Sequence, residues 1–121
     1  MTAVVVVGIG VLGGVGAVAR FVLDGAAATR LGRSLPYGTF VVNIAGALVL
    51  GVLTGAGVSG DGARLAATGF IGAFTTFSTW MLESHRLAED GEPAASALNF
   101  AISLAVGIGA AALGRYVGGR L

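Results

Sequence analysis

The sequence predicts an all-α integral membrane protein with four transmembrane helices per chain, the third of them broken at its middle. Two observations predict the class and a third predicts the break. Of the 121 residues, 55% are hydrophobic and 11% charged, whereas a soluble domain carries about 25% charged residues to cover its surface. Four apolar runs are each long enough to cross a hydrocarbon core about 30 Å thick, which takes about 20 helical residues. The third run carries Thr75, Thr76, Ser78 and Thr79 close together, and such side chains compete for backbone hydrogen bonds and weaken a continuous helix.

The first run spans about Val4 to Gly25. No basic stretch precedes it and three further apolar runs follow, so it reads as a membrane segment and not as a cleaved leader. Its VVVVGIGVLG, residues 4 to 13, matches the G-x-G-x-x-G that follows a strand in dinucleotide-binding folds. Such a fold needs an acidic residue about 20 positions further on. The chain offers Arg30, Arg33 and Pro36 there, and no alternating soluble sheet follows.

The second run, about Tyr37 to Val58, follows TRLGRSLP; the third, about Arg64 to Leu87, follows SGDG; the fourth, about Ala94 to Tyr116, follows AEDGEP. Pro36 and Pro93 each stand just ahead of a run, where a first helical turn has no use for the missing N–H. The four runs make one transmembrane domain over residues 1–121, expected as a multi-pass protein of the cell (plasma or inner) membrane. Small residues four apart, as in Gly10 and Gly14 or Gly51 and Gly55, and the cluster around Gly107 and Gly109, let helix backbones approach closely in lipid.

Charge is informative through its balance. The formal net charge is +1 and the seven cations are scattered, which argues against a nucleic-acid partner. With four spans, Arg64, Arg115 and Arg120 fall on one side of the membrane and Arg30, Arg33 and Arg86 on the other, with Arg20 near the end of the first run. Cations near helix ends set topology, and here neither side wins. Both a single orientation and insertion in two orientations, giving an antiparallel dimer, agree with these counts. Cysteine is absent, so neither disulfides nor thiolate metal sites arise.

The acids Asp24, Asp61, Glu83, Glu89, Asp90 and Glu92 all read as lying near segment ends or in loops, which argues against a proton-coupled mechanism. The interior polarity is neutral: Thr39 and Asn43 in the second run, the TTFST cluster in the third, Asn99 and Ser103 in the fourth. Thr39 and Asn43 are four apart, as are Asn99 and Ser103, so each pair shares a helix face. Hydroxyl and amide donors on facing helices either hydrogen-bond one another or replace the water around a small anion. A break near Gly72 and the threonines leaves carbonyls that lipid cannot satisfy, and a cation such as sodium is one solution. Phe77 and Trp80, three apart, face nearly the same way, and the positive edge of an aromatic ring favours an anion.

These stretches resemble the Fluc/CrcB fluoride channels over essentially the whole chain. GGVGAVARF at 13–21 is similar to the family's GGxxGAxxRY, GTFVVNIAGALVLG at 38–51 to its GTxxVNxxGxxxxG, and GAFTTFSTW at 72–80 to its GxxTTFSTF. The resemblance implies a dual-topology antiparallel homodimer, or a heterodimer with a paralogue, with two fluoride pathways and a structural sodium ion at its centre. By that resemblance, main-chain carbonyls of Gly72 and Thr75 hold the sodium. Asn43, Phe77, Trp80, Ser78, Thr79, Ser103 and Thr39 line the fluoride pathway, and Arg20 lies toward a vestibule. Two positions depart from the pattern: Trp80 stands where the family usually has phenylalanine, and Asn99 where many members have tyrosine. The expected function is passive export of cytoplasmic fluoride, with no catalytic residues. A small coupled ion transporter and a non-conducting partner subunit are the alternatives.

Overall fold

The computed structural model describes Met1–Leu121 and contains helices and no strand. Helix α1, Ala3–Leu31, begins on Thr2, whose Oγ1 accepts the Val5 N–H at 3.3 Å, and ends at Gly32, where φ is +89°. It outruns the expected end at Gly25 because nothing before Gly32 forces the backbone to turn. Its 29 residues make a rod about 43 Å long, longer than the hydrocarbon core. Helix α2, Tyr37–Gly55, follows Pro36 and stops short of Val58, since Gly57 takes φ +79°.

The third span is built from several pieces. Helix α3 comprises Gly60–Ala63, Arg64–Ile71 and Gly72–Phe74 in unbroken succession. Its middle stretch is a π-helix, so that the Gly72 N–H reaches back five residues to the Ala67 carbonyl. Thr75 and Thr76 are extended, with ψ of 158° and 124°. Helix α4, Phe77–Glu89, then restarts on Thr76, whose side chain accepts the Thr79 N–H. The expected break is therefore present, three residues beyond Gly72, which is itself helical. Helix α5, Pro93–Gly118, completes the chain with proline in its first turn. Four spans, Ala3–Leu31, Tyr37–Gly55, Gly60–Glu89 and Pro93–Gly118, are long and apolar enough to cross a membrane.

Only 14 of the 121 residues are buried, so apolar burial inside the chain cannot be what orders it. Val4, Val7, Val11, Val18 and Val22 lie exposed along one stripe of α1, as suits a helix in a solvent as apolar as its own side chains. Close backbone approach orders the helices instead. Helix α2 lies along α5, α1 against α3, and α4 against α5. In the α2–α5 seam a Cβ on Gly51 would strike the Ala111 carbonyl, and one on Gly55 the Arg115 carbonyl. Gly114 and Gly118 reciprocate, facing Leu48 and Val52 of α2. Between α1 and α3, Gly16 abuts the Phe70 carbonyl, and a Cβ on Gly69 would lie 3.3 Å from Ile9.

The spacing of glycines thus anticipated Gly51 and Gly55. Gly10, Gly14 and Gly109 face open space in the single chain, because they lie on the outer faces of their helices. The seams use Gly16, Gly69, Gly114 and Gly118 instead. Gly114→Val forces α2 and α5 apart, since a Cβ there already sits 2.9 Å from the Val52 amide nitrogen. The expected loss is about 1–3 kcal/mol, typical of overpacking, read as a lower unfolding temperature in detergent. An unchanged unfolding temperature would show that the seam is looser than described.

Candidate ion pathway at the third-helix break

In an unbroken helix the Thr76 N–H would return to the Gly72 carbonyl. Here it donates to Asn43 Oδ1 at 2.8 Å, while Asn43 Nδ2 donates to the Thr76 carbonyl, also at 2.8 Å. One amide side chain of α2 therefore satisfies both backbone groups of the residue at the break. Gly46, one turn further along α2, leaves room for the kink: a Cβ there would collide with the Thr75 methyl group. Thr75 Oγ1 donates back to the Ile71 carbonyl at 3.0 Å, closing the end of α3. Arg20 reaches across from α1, its Nε donating to the Ala73 carbonyl at 3.3 Å.

On the far side of the break, Thr76 Oγ1 gathers its neighbours. It donates to Thr79 Oγ1 at 3.2 Å, lies 3.4 Å from Ser78 Oγ and accepts the Thr79 N–H at 3.2 Å. A hollow of about 300 Å³ opens beside these groups, lined by Asn43, Gly46, Thr75, Thr76, Phe77 and Trp80 among others. Phe77 and Trp80 meet edge to face, 5.6 Å between ring centroids and 87° between planes. Two threonines, an asparagine and two aromatic residues thus border one mostly apolar space at the point where the helix opens.

A second hollow, about 380 Å³ and largely polar, holds Thr79, Glu83, Asp24, Arg33 and Arg86. Thr39 donates its hydroxyl proton to Glu83 Oε1, so Thr39 and Asn43, sharing a face of α2, both address the third span. Ser103 lines neither of these two hollows. With Asn99, Phe40 and Ile102 it lines a mostly apolar cleft of about 350 Å³ between α2 and α5.

The match to known proteins agrees with this architecture. The family model described as CrcB-like protein, Camphor Resistance (CrcB), covers residues 7–115. The chain belongs to the CrcB family. Among similar curated proteins, the "Fluoride-specific ion channel FluC 2" of Mycobacterium tuberculosis is 47% identical over 117 residues, covering 97% of this chain and 93% of the relative. The protein of the same name from Mycolicibacterium paratuberculosis is 51% identical over 116 residues, 95% of each chain. The "Fluoride-specific ion channel FluC 1" of Leifsonia xyli is 42% identical over 123 residues, 98% of this chain and 90% of its own.

For a CrcB protein, two features escaped the reading of the sequence. Glu83 reads as an acid near a segment end, and it does lie toward that end of the third span, level with the first turn of α2 and beside residues 32–38, but it has a hydroxyl partner in Thr39 that the sequence does not announce. Its spacing of four from Thr79 places both on one face of α4. Gly46 was the other, visible in GTFVVNIAGALVLG but without a partner until the kink at Thr75 is seen. The two departures from the CrcB pattern also prove to be neighbours: the Trp80 indole N–H donates to the Asn99 main-chain carbonyl at 3.4 Å.

Asn43→Ala strands the Thr76 N–H and carbonyl together. Each unsatisfied group costs about 1–3 kcal/mol, so a clear drop in unfolding temperature is expected. A variant as stable as the parent chain would mean that the break does not depend on this brace.

Proposed function

We propose that this chain is the subunit of a fluoride-selective channel through which cytoplasmic fluoride leaves the cell passively. The observation that carries the reading is the Asn43-braced break, whose threonines border one hollow with Phe77 and Trp80, in a chain whose relatives are named fluoride-specific ion channels. Hydrogen fluoride crosses a membrane as a neutral molecule from an acidic exterior and dissociates in a more alkaline cytoplasm. A pore then drains the trapped anion. An interior potential of about −100 mV assists with about 2.3 kcal/mol per charge. Fluoride holds its water tightly, so Thr and Ser hydroxyls, the second N–H of Asn43 and the edges of Phe77 and Trp80 replace that shell along the path. Chloride is larger and gains less from each donor.

The proposed assembly is an antiparallel dimer in the cell membrane, with a structural sodium ion at its centre. The donor set fits such an ion. The break turns the Thr76 N–H away from the Gly72 carbonyl, and main-chain oxygen is what sodium takes at an unwound helix. No group of three or more His, Asp or Glu side chains stands ready to hold a metal instead. Gly72 and Thr75 would supply the carbonyls, and bound sodium would supply the positive charge that steadies two facing breaks. Replacing sodium with a large organic cation is expected to lower the unfolding temperature, and indifference to sodium would remove the ion from the proposal.

Glu83, held by Thr39 in a polar hollow toward the end of the third span, favours a second reading as a proton-coupled carrier. Liposomes loaded with fluoride separate the two. With sodium present and a potassium shunt, purified protein is expected to release fluoride, and release persists when the pH gradient is collapsed. Release that stops with the gradient supports the carrier. No release at all sinks both readings for the homodimer, and recovery on adding a second, related chain would identify a partner subunit.

A further inference from the structure

Trp80 is the only tryptophan in the chain, and its surroundings define its orientation more closely than its place in the pathway requires. One face of the indole stacks on Phe100 of α5, 5.1 Å between centroids and 17° between planes. Its Nε1–H donates to the Asn99 main-chain carbonyl on that same helix at 3.4 Å. The Asn99 side chain returns the contact: Nδ2 donates to Ser84 Oγ at 2.8 Å, one turn beyond Trp80 on α4. Ser96 Oγ donates to the Ser84 carbonyl at 2.6 Å, and Ser84 is buried. Contacts thus cross between α4 and α5 in both directions, which holds the register that sets the Asn99 carbonyl opposite the indole N–H.

We propose that Phe100 and Asn99 are positioning residues for Trp80, turning its N–H onto α5 so that the ring meets the pathway beside Phe77 through carbon edge and not through a hydrogen-bond donor. The physical basis is competition for one proton. An indole has a single N–H donor and no other, so a proton held by a carbonyl of α5 is withheld from an anion. Stacking on Phe100 keeps the ring from rotating about its side-chain bonds to free it. The edge-to-face contact with Phe77 then fixes the two rings at 87° to each other. Without the lock, the indole would swing its donor toward the hollow and bind the anion more firmly, and a site that holds an ion too well conducts slowly.

The role of Trp80 in the pathway rests on the channel reading above, whereas the lock itself is tested separately. With one tryptophan, fluorescence excited at the red edge of absorption reports on residue 80 alone. In the full-length protein, Phe100→Ala and Asn99→Leu are expected to shift the emission to longer wavelength and raise quenching by acrylamide. Phe100→Tyr, which keeps a stacking ring, is expected to restore both. In fluoride-loaded liposomes, Phe100→Ala is expected to lower fluoride release several-fold, with Phe100→Tyr close to the parent chain. Emission that does not move in either Phe100→Ala or Asn99→Leu overturns the lock, whether or not the parent protein conducts. Emission that moves while fluoride release stays at the parent rate overturns the positioning role. Should Phe100→Ala not assemble, Asn99→Leu supplies the same two readouts.

Discussion

A helix interrupted inside a bilayer exposes an amide N–H and a carbonyl where no water can take them, and in this chain the Asn43 side chain takes both. That exchange, two hydrogen bonds of 2.8 Å to the backbone of Thr76, is the condition on which the rest of the third span depends. It allows α3 to end at Phe74 and α4 to begin at Phe77, and it turns the Thr76 N–H away from the Gly72 carbonyl. Asparagine suits the position because it offers a donor and an acceptor on one planar group. An apolar residue would leave both backbone groups stranded at a cost of several kcal/mol in lipid.

The neighbours of the break follow from the same constraint. Gly46 lacks a side chain because the Thr75 methyl group occupies the space. Arg20 caps the Ala73 carbonyl, a favourable place for a cation because helix C-termini carry partial negative charge. The glycine seam between α2 and α5 matters to the site for a related reason. It brings α5 close enough for Asn99 and Phe100 to reach α4, and it holds α2 where Asn43 and Thr39 can address the third span. Packing of backbones against backbones does here what an apolar core does in water.

Polarity inside the molecule is divided between two tasks. Asn43, Thr75, Ser84 and Ser96 spend their groups on holding helices and the break in place. The hydroxyl protons left over, on Ser78 and Thr79, cluster just past the point where the helix opens. Glu83 adds a carboxylate to this setting, held by Thr39 in the neighbouring polar hollow.

Composition and hydropathy alone determined the membrane class and the four spans, because crossing lipid demands long apolar runs that nothing else in a sequence imitates. The cluster from Thr75 to Thr79 determined that the third span would break, since local competition for backbone bonds is a property of neighbours in sequence. Which residue breaks was decided only by tertiary contact: Gly72 stays helical, and Thr76 opens because Asn43, remote in sequence, pays the backbone's demand. The same holds for the partner of Glu83: the Thr39 hydroxyl reaches it only because the start of α2 lies against α4. Trp80 and Asn99, two separate oddities along the chain, become one hydrogen-bonded pair once α4 lies against α5. Seams and pairs of this kind depend on which helix faces meet, and the many small residues of this chain allow several faces to pack equally well.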